Sequence, residues 1–215
     1  MIAEPRPSGL TMTGEEAMLE PTTAVLSALE RFGILLKQDK RLPNVVRIVT
    51  GEALSRSWWS HPKGNLIFRV LDELSDHPDV LFTKLISGKD TLVHRSLWPA
   101  FLAVASGAEA WQRRGLSASA RQLLERVRRA RKPLLSSGPT VKELTARLLV
   151  NSVQVHTESG QHQTALEAWR LWAHRNDVKT EKSLAGACSA LESSCERIGA
   201  PLKTLPWLSG KRTGA

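Results

Sequence analysis

The tightest group of side chains that could bind a metal or transfer a proton consists of His156, Glu158 and His162. A metal site needs three or four such ligands, and this spacing does not match the His-Glu-x-x-His pattern of zinc proteases. The pair His156 and Glu158 has the His-x-Glu spacing of zinc deaminases, but no Pro-Cys-x-x-Cys follows it. We therefore predict no metal and interpret the group as part of a turn between two helices. A hydrolase-type enzyme that uses these three residues is the alternative.

No other stretch has the spacing of a catalytic motif. The sequence contains neither a Gly-x-Ser-x-Gly nucleophile motif nor a glycine-rich phosphate loop, so we predict no cofactor. Cys188 and Cys195 lie seven residues apart in a helical pattern, about 10 Å along the axis. That distance is too long for a disulfide, and the two cysteines are interpreted as small buried apolar residues.

Positive charge is concentrated between Trp111 and Lys132. This basic segment holds eight basic residues against one acid, Glu125, a net charge of +7 in a chain whose net charge is +9. Its basic residues are Arg113, Arg114, Arg121, Arg126, Arg128, Arg129, Arg131 and Lys132. Arginine side chains match the geometry of phosphate oxygens, so the segment predicts contacts with a nucleic-acid backbone. A solvated helix face that pairs with acids elsewhere in the chain is the alternative.

A helix is predicted to carry most of this charge. It starts near Leu116 or Ser117, runs to about Arg131, and has small and aliphatic residues along one side. These apolar residues are Ala120, Leu123, Leu124, Val127 and Ala130. The arc lacks Trp and Phe, so it does not resemble a helix that anchors at a membrane surface.

The centre of the chain predicts a helix, a hairpin and a second helix. Apolar residues recur at helical spacing between Pro62 and Leu74. Val80–Leu85 and Thr91–His94 are rich in strand-forming residues, and Gly88 lies in the turn between them. We expect the two strands to pair antiparallel, and nearly all other regular structure to be helical.

A helix followed by a hairpin with a basic tip is typical of a winged helix-turn-helix. In that interpretation Lys84, Lys89 and Arg95 contact phosphates. Asp72 and Glu73 near the end of the preceding helix argue against its insertion into a DNA groove. A plain α+β core without a nucleic-acid role is the alternative.

The predicted fold class is mainly α, within the α+β group. Residues 1–21 are expected to be a mobile tail, and residues 22–135 a winged-helix-like domain that includes the basic helix. Thr22 or Thr23 is expected to cap the first helix. A second, short helix is expected to open at Leu42 and Pro43 and to end at Gly51. Residues 136–207 are expected to be a helical region packed on that domain, and residues 208–215 a frayed tail. Residues 134–139 interrupt the helical pattern and form the best internal boundary. The next helix is expected to begin with a capping box between Thr140 and Glu143. Its apolar side is expected to consist of Leu144, Leu148, Leu149, Val153 and Val155.

Composition is ordinary for a globular chain, with 41% hydrophobic and 24% charged residues. No apolar run reaches the length of about 18 residues expected of a transmembrane helix, and the first residues do not resemble a signal peptide. A cytoplasmic location is therefore expected. The pI near 10.1 favours polyanionic partners.

Several short stretches are distinctive: Ser57–Pro62, Lys84–Lys89, Val93–Pro99, His156–His162 and Leu205–Trp207. Together they resemble an uncharacterised family of bacterial cytoplasmic proteins with no assigned activity. The resemblance extends from about Ala24 to Trp207. It implies a bacterial cytoplasmic origin, and it implies that the chain after Gly138 belongs to one architecture rather than to a separate enzyme. No site residues are transferred from it.

These observations predict a non-catalytic, nucleic-acid-associated module that binds mainly backbone phosphates. The enzyme hypothesis based on the histidine group is one alternative. A second is a protein–protein adaptor whose basic face binds an acidic partner.

Overall fold

The computed structural model describes residues 16–156, 162–181 and 183–209, which form helices around two small antiparallel sheets. The first half contains α1 Glu16–Phe32, β1 Ile34–Leu36, α2 Val45–Thr50, α3 Gly64–Asp76, β2 Val80–Thr83 and β3 Thr91–His94. The second half contains α4 Trp98–Ser106, α5 Ala110–Arg113, α6 Ala118–Arg129, β4 Leu134–Ser136, α7 Pro139–Ala146, β5 Asn151–His156, β6 His162–Glu167, α8 Trp169–Arg175, α9 Leu184–Arg197 and α10 Pro206–Ser209. The α+β fold class is thus confirmed.

The first sheet contains the predicted hairpin and one strand more. Strands β2 and β3 pair antiparallel, and β1 pairs with the other side of β3, so the strand order is β1-β3-β2. Strand β2 ends at Thr83, two residues earlier than predicted. Ser87 and Gly88 both have positive φ (49° and 66°) in the connection, a conformation that glycine adopts without a steric penalty.

Helices cover both faces of this sheet. Leu35, Leu92 and Val80 on one face pack with the buried residues of α1, α2 and α3. Ile34 and Val93 on the other face pack with α4, α8 and α9. We predicted that one face would meet the helix before the hairpin and that the other would be partly covered. The first expectation is confirmed, and the second face is buried except at Thr83, which is half-buried at the end of β2.

Helices α1 and α2 differ in how well the sequence predicts where they begin and end. Helix α2 is confirmed as a short helix: Asn44 caps its start by accepting from the N–H of Arg47, and Gly51 ends it with a φ of 86°. The prediction that α1 begins at Thr22 or Thr23 is wrong. Strong helix-forming residues at positions 16–20 extend the helix upstream of Pro21, so the predicted tail is helical from residue 16; residues 1–15 lie outside the described part.

The prediction of a helical C-terminal region is wrong, because β4, β5 and β6 form a second sheet in the order β4-β6-β5. Together with β1, these strands make four strands outside the predicted hairpin among the described residues. The expectation that nearly all other regular structure is helical is therefore wrong. The helix predicted to continue from Leu144 to Val155 ends at Ala146, and Leu148 turns the chain with a φ of 53°. Beyond this turn Val153 and Val155 follow the alternating pattern of a strand.

Helix α6 packs with this second sheet rather than with the first. Its buried residues form one cluster with Val141 and Leu144 of α7 and Leu166 of β6. The boundary expected between residues 135 and 136 falls inside β4, which pairs with β6. Residues 208 and 209 of the predicted frayed tail belong to α10, and residues 210–215 lie outside the described part.

Candidate nucleic-acid interface

Helix α6 forms as its sequence predicts and presents its charged side to solvent. The Ser117 hydroxyl caps the helix by accepting from the N–H of Ala120 at 3.1 Å. Four residues of the predicted apolar arc, Ala120, Leu123, Leu124 and Val127, are buried, and the fifth, Ala130, is half-buried just beyond the end of the helix. Burying these side chains fixes the rotation of the helix about its axis, which leaves the arginines on the open side.

A carboxylate from α7 holds the start of α6. Glu143 accepts from the Ser117 N–H at 2.9 Å and from the Ser117 hydroxyl at 2.7 Å. These two hydrogen bonds lower the pKa of Glu143 below its ordinary value, and Arg147 and Arg121 add to the effect. The predicted capping box between Thr140 and Glu143 is therefore wrong. Helix α7 instead begins at Pro139, where a missing N–H costs nothing.

All eight basic residues of the segment are exposed, and we call them the basic surface. They are Arg113, Arg114, Arg121, Arg126, Arg128, Arg129, Arg131 and Lys132. Within the described residues only Arg128 forms an ion pair, with Glu125 at 3.3 Å. Arg121 donates instead to the carbonyl of Leu116 at 2.5 Å. The charge of this surface is therefore poorly compensated by acids of the described chain.

Part of this charge stabilises the helix itself. Arg126, Arg128 and Arg129 lie in the last turn of α6, where cations interact favourably with the negative end of the helix dipole by about 0.3–1 kcal/mol each at an exposed site. This interaction with the helix dipole uses none of the guanidinium hydrogen-bond donors. The two roles are compatible.

Two arginines that the sequence did not single out join the basic surface through the tertiary fold. Arg147 donates to the carbonyls of Trp111 (3.1 Å), Gln112 (3.3 Å) and Arg114 (2.6 Å) at the end of α5. Arg170 donates to the carbonyls of Arg128 and Ala130 at the end of α6. Each is an isolated cation in its own stretch of sequence, so no local pattern could have identified it.

The three predicted phosphate contacts around the hairpin are each paired with an acid. Lys84 lies 2.5 Å from Asp90, Lys89 lies 2.6 Å from Asp39, and Arg95 lies 3.0 Å from Asp79. Burial raises the pKa of Asp39, but hydrogen bonds from the Leu42 N–H, the Lys89 ammonium and the Arg41 N–H outweigh burial and keep this pKa below its ordinary value. A phosphate would have to compete with these carboxylates for the same cations.

Helix α3, the helix before the hairpin, presents several acids, one aromatic ring and a single cation, Arg69, to solvent. Asp72 and Asp76 are exposed on its outer side, where they would repel a DNA backbone. Phe68 is 44% exposed, and its ring centre lies 6.1 Å from that of Trp59, which is 66% exposed. The side chains of α3 therefore provide little that could bind phosphate.

His156 and His162 lie on paired β-strands and not between two helices, so that part of the prediction is wrong. His156 ends β5, His162 begins β6, and the two residues face each other in the register of the paired strands. Glu158 lies outside the described residues. Within the described part of the chain no group of three His, Cys, Asp or Glu residues could hold a metal ion.

Comparisons with known proteins add no assignment. No family model matches the chain, and no curated protein or solved structure is significantly similar to it. Across residues 16–156, 162–181 and 183–209, no helix combines the length and apolar character needed to cross a membrane.

Proposed function

We propose that this protein is a non-catalytic, nucleic-acid-associated module that contacts mainly backbone phosphates through the basic surface. The observation that carries the proposal is the weak compensation on this surface: its eight exposed cations form one ion pair with a described acid, Arg128 with Glu125, and Glu143 adds a longer-range attraction to Arg121. Each cation that neutralises a phosphate releases counterions from the nucleic acid. The affinity that this surface can supply is therefore electrostatic and independent of base sequence.

We also propose a winged-helix arrangement for residues 16–94. The element order α1-β1-α2-α3-β2-β3 and the strand order β1-β3-β2 support it. The chemistry of α3 supports a structural role for this unit rather than reading of a groove, because its outer side carries Asp72 and Asp76. The phosphate contacts are then supplied by α6, which lies in the second half of the chain.

The proposal is tested by measuring how affinity for a DNA duplex depends on salt concentration. Wild-type protein is expected to bind at micromolar concentration in about 50 mM salt, and more weakly as salt rises. The triple variant Arg126→Gln, Arg129→Gln, Lys132→Gln removes three cations that form no ion pair with any described residue. If each cation neutralises one phosphate, the slope of log K against log salt falls by about 2–3. The loss should be similar for unrelated sequences.

A matched control is the triple variant Lys40→Gln, Arg41→Gln, Arg47→Gln. These residues are also exposed, and the net charge changes by the same amount. The control should keep the wild-type slope. An equal fall in both variants would mean that total charge rather than the basic surface determines binding. A wild-type protein that binds no nucleic acid at about 50 mM salt, and binds an acidic protein instead, would favour the adaptor.

A further inference from the structure

A cavity of about 170 Å³ lies beside the end of α6, next to the basic surface. Its apolar lining includes the buried side chains of Val127, Leu149 and Trp169. Arg128 and Arg170 are the two cations that line it, and both are exposed. The cavity therefore combines an apolar floor with a cationic rim.

The fold holds one of these cations in place and leaves the other loosely held. The Nη2 atom of Arg170 donates to the carbonyls of Arg128 at 2.7 Å and Ala130 at 3.1 Å, so it occupies the open carbonyl end of α6. Three of its five N–H donors make no hydrogen bond to described residues. Arg128 has one ion pair at 3.3 Å, and its side chain is 44% exposed. Both guanidinium groups can therefore bind an anion at the mouth of the cavity.

An apolar floor below two arginines fits a flat ring that carries a phosphate, which is the chemistry of a nucleotide. The cavity is smaller than the roughly 300–1,000 Å³ of sites for drug-sized ligands, so it suits a single base and not a larger ligand. A base inside a duplex is stacked and paired and would have to leave the helix to enter. An unpaired base can enter the cavity without the energy needed to break a base pair.

We propose that this cavity binds an unpaired nucleobase of a strand whose phosphates lie on the basic surface. The inference rests on the proposed function and adds a preference for single-stranded over double-stranded nucleic acid. Burying one base against aromatic and apolar side chains, as in single-strand binding proteins, corresponds to about a tenfold gain in affinity. This gain depends on the base and not on salt, so it can be separated from the phosphate contacts.

The test compares three probes of equal length: a short oligothymidylate, the same strand with abasic sites throughout, and a duplex. Wild-type protein should bind the normal strand about tenfold more tightly than the abasic strand, with the same slope of log K against log salt. The variant Ser106→Phe adds a ring at an exposed residue that lines the cavity, without changing any charge. It should remove the difference between the two strands and leave the slope unchanged. Ser193→Phe, at an exposed position of α9, is the matched control and should behave as wild type.

The outcomes separate this inference from the proposed function. Equal wild-type affinity for the normal and abasic strands, with normal salt dependence, would overturn the cavity inference and leave phosphate binding intact. Failure to bind any of the three probes would overturn both. Thymidine monophosphate that binds as tightly as the strand would overturn the assignment to a strand, because the cavity would then be a mononucleotide site. The wild-type comparison of the two strands needs no variant, so it decides the matter even if Ser106→Phe does not fold.

Discussion

The hairpin of the first half and α6 of the second half both carry clustered cations, but they differ in the acids around them. Lys84, Lys89 and Arg95 each lie within 3.0 Å of a carboxylate. On the basic surface Arg128 alone pairs with a described acid. Surface ion pairs contribute little to stability, yet they reduce the positive potential that a polyanion meets. A count of basic residues in a sequence therefore does not measure the positive charge that is available to a partner.

The largest expected effect comes from removing the acids around the hairpin. The variant Asp39→Asn, Asp79→Asn, Asp90→Asn frees these three cations and also Lys37, which lies 3.6 Å from Asp90. It leaves an acceptor oxygen at each position. If the three hairpin cations then reach phosphates, the slope of log K against log salt on duplex DNA becomes steeper by about 2–3. Affinity at about 50 mM salt should rise accordingly. An unchanged slope would mean that the hairpin does not reach the nucleic acid. Its ion pairs with acids would then not be the reason why the hairpin contributes little to binding.

Removing the hairpin cations should have a smaller effect. The variant Lys84→Gln, Lys89→Gln, Arg95→Gln deletes charges that are already paired, so the slope should fall by less than about 1. The same number of charges removed from Arg126, Arg129 and Lys132 should lower it by about 2–3. A fall of equal size in the two triple variants would contradict this difference, because paired and unpaired cations would then contribute equally to phosphate binding.

Locally encoded elements were predictable from the sequence. The β2–β3 hairpin, helix α2 with Gly51 at its end, and the buried arc of α6 all depend on a periodic pattern and on nearby capping or turn residues. The concentration of cations between Trp111 and Lys132 was equally visible. These predictions needed no knowledge of which distant segments meet.

Features that depend on distant partners were missed. Strand β1 has three residues, and its register with β3 joins positions nearly 60 residues apart, such as Ile34 and Val93. The pair of Lys89 with Asp39 spans 50 residues, so sequence alone could not show that the hairpin charge is compensated. In β5 the apolar residues fit both a helical and a strand pattern, and pairing with β6 decides between them.

A single substitution on α6 tests whether the one ion pair of the basic surface limits phosphate binding. Glu125 is the described acid paired with the basic surface, through Arg128. The variant Glu125→Gln removes that acid and frees Arg128, so the slope on duplex DNA should become steeper by at most about 1. The effect should be weaker than at the hairpin because one pair is broken and not three. Gln122→Asn, a neutral change at an exposed neighbour on the same helix, is the control. A slope equal to that of wild type would show that the pair with Glu125 does not limit phosphate contact by Arg128.

The smallest expected effect concerns Glu143, whose hydrogen bonds to Ser117 position the basic surface. The N–H and the hydroxyl of Ser117 hold the pKa of Glu143 below its ordinary value. Because the pKa is lower in the folded protein than in the unfolded chain, the interaction stabilises the fold above the unfolded pKa, near 4.3. This stabilisation is lost as the pH falls through the folded pKa.

The variant Glu143→Gln should therefore lower Tm by about 2 °C at pH 7, and by less near pH 3. Glu30→Gln, at an exposed position of α1, should differ little from wild type at either pH. If Glu143→Gln lowers Tm equally at both pH values, hydrogen bonding rather than the charge of Glu143 holds α6 on α7.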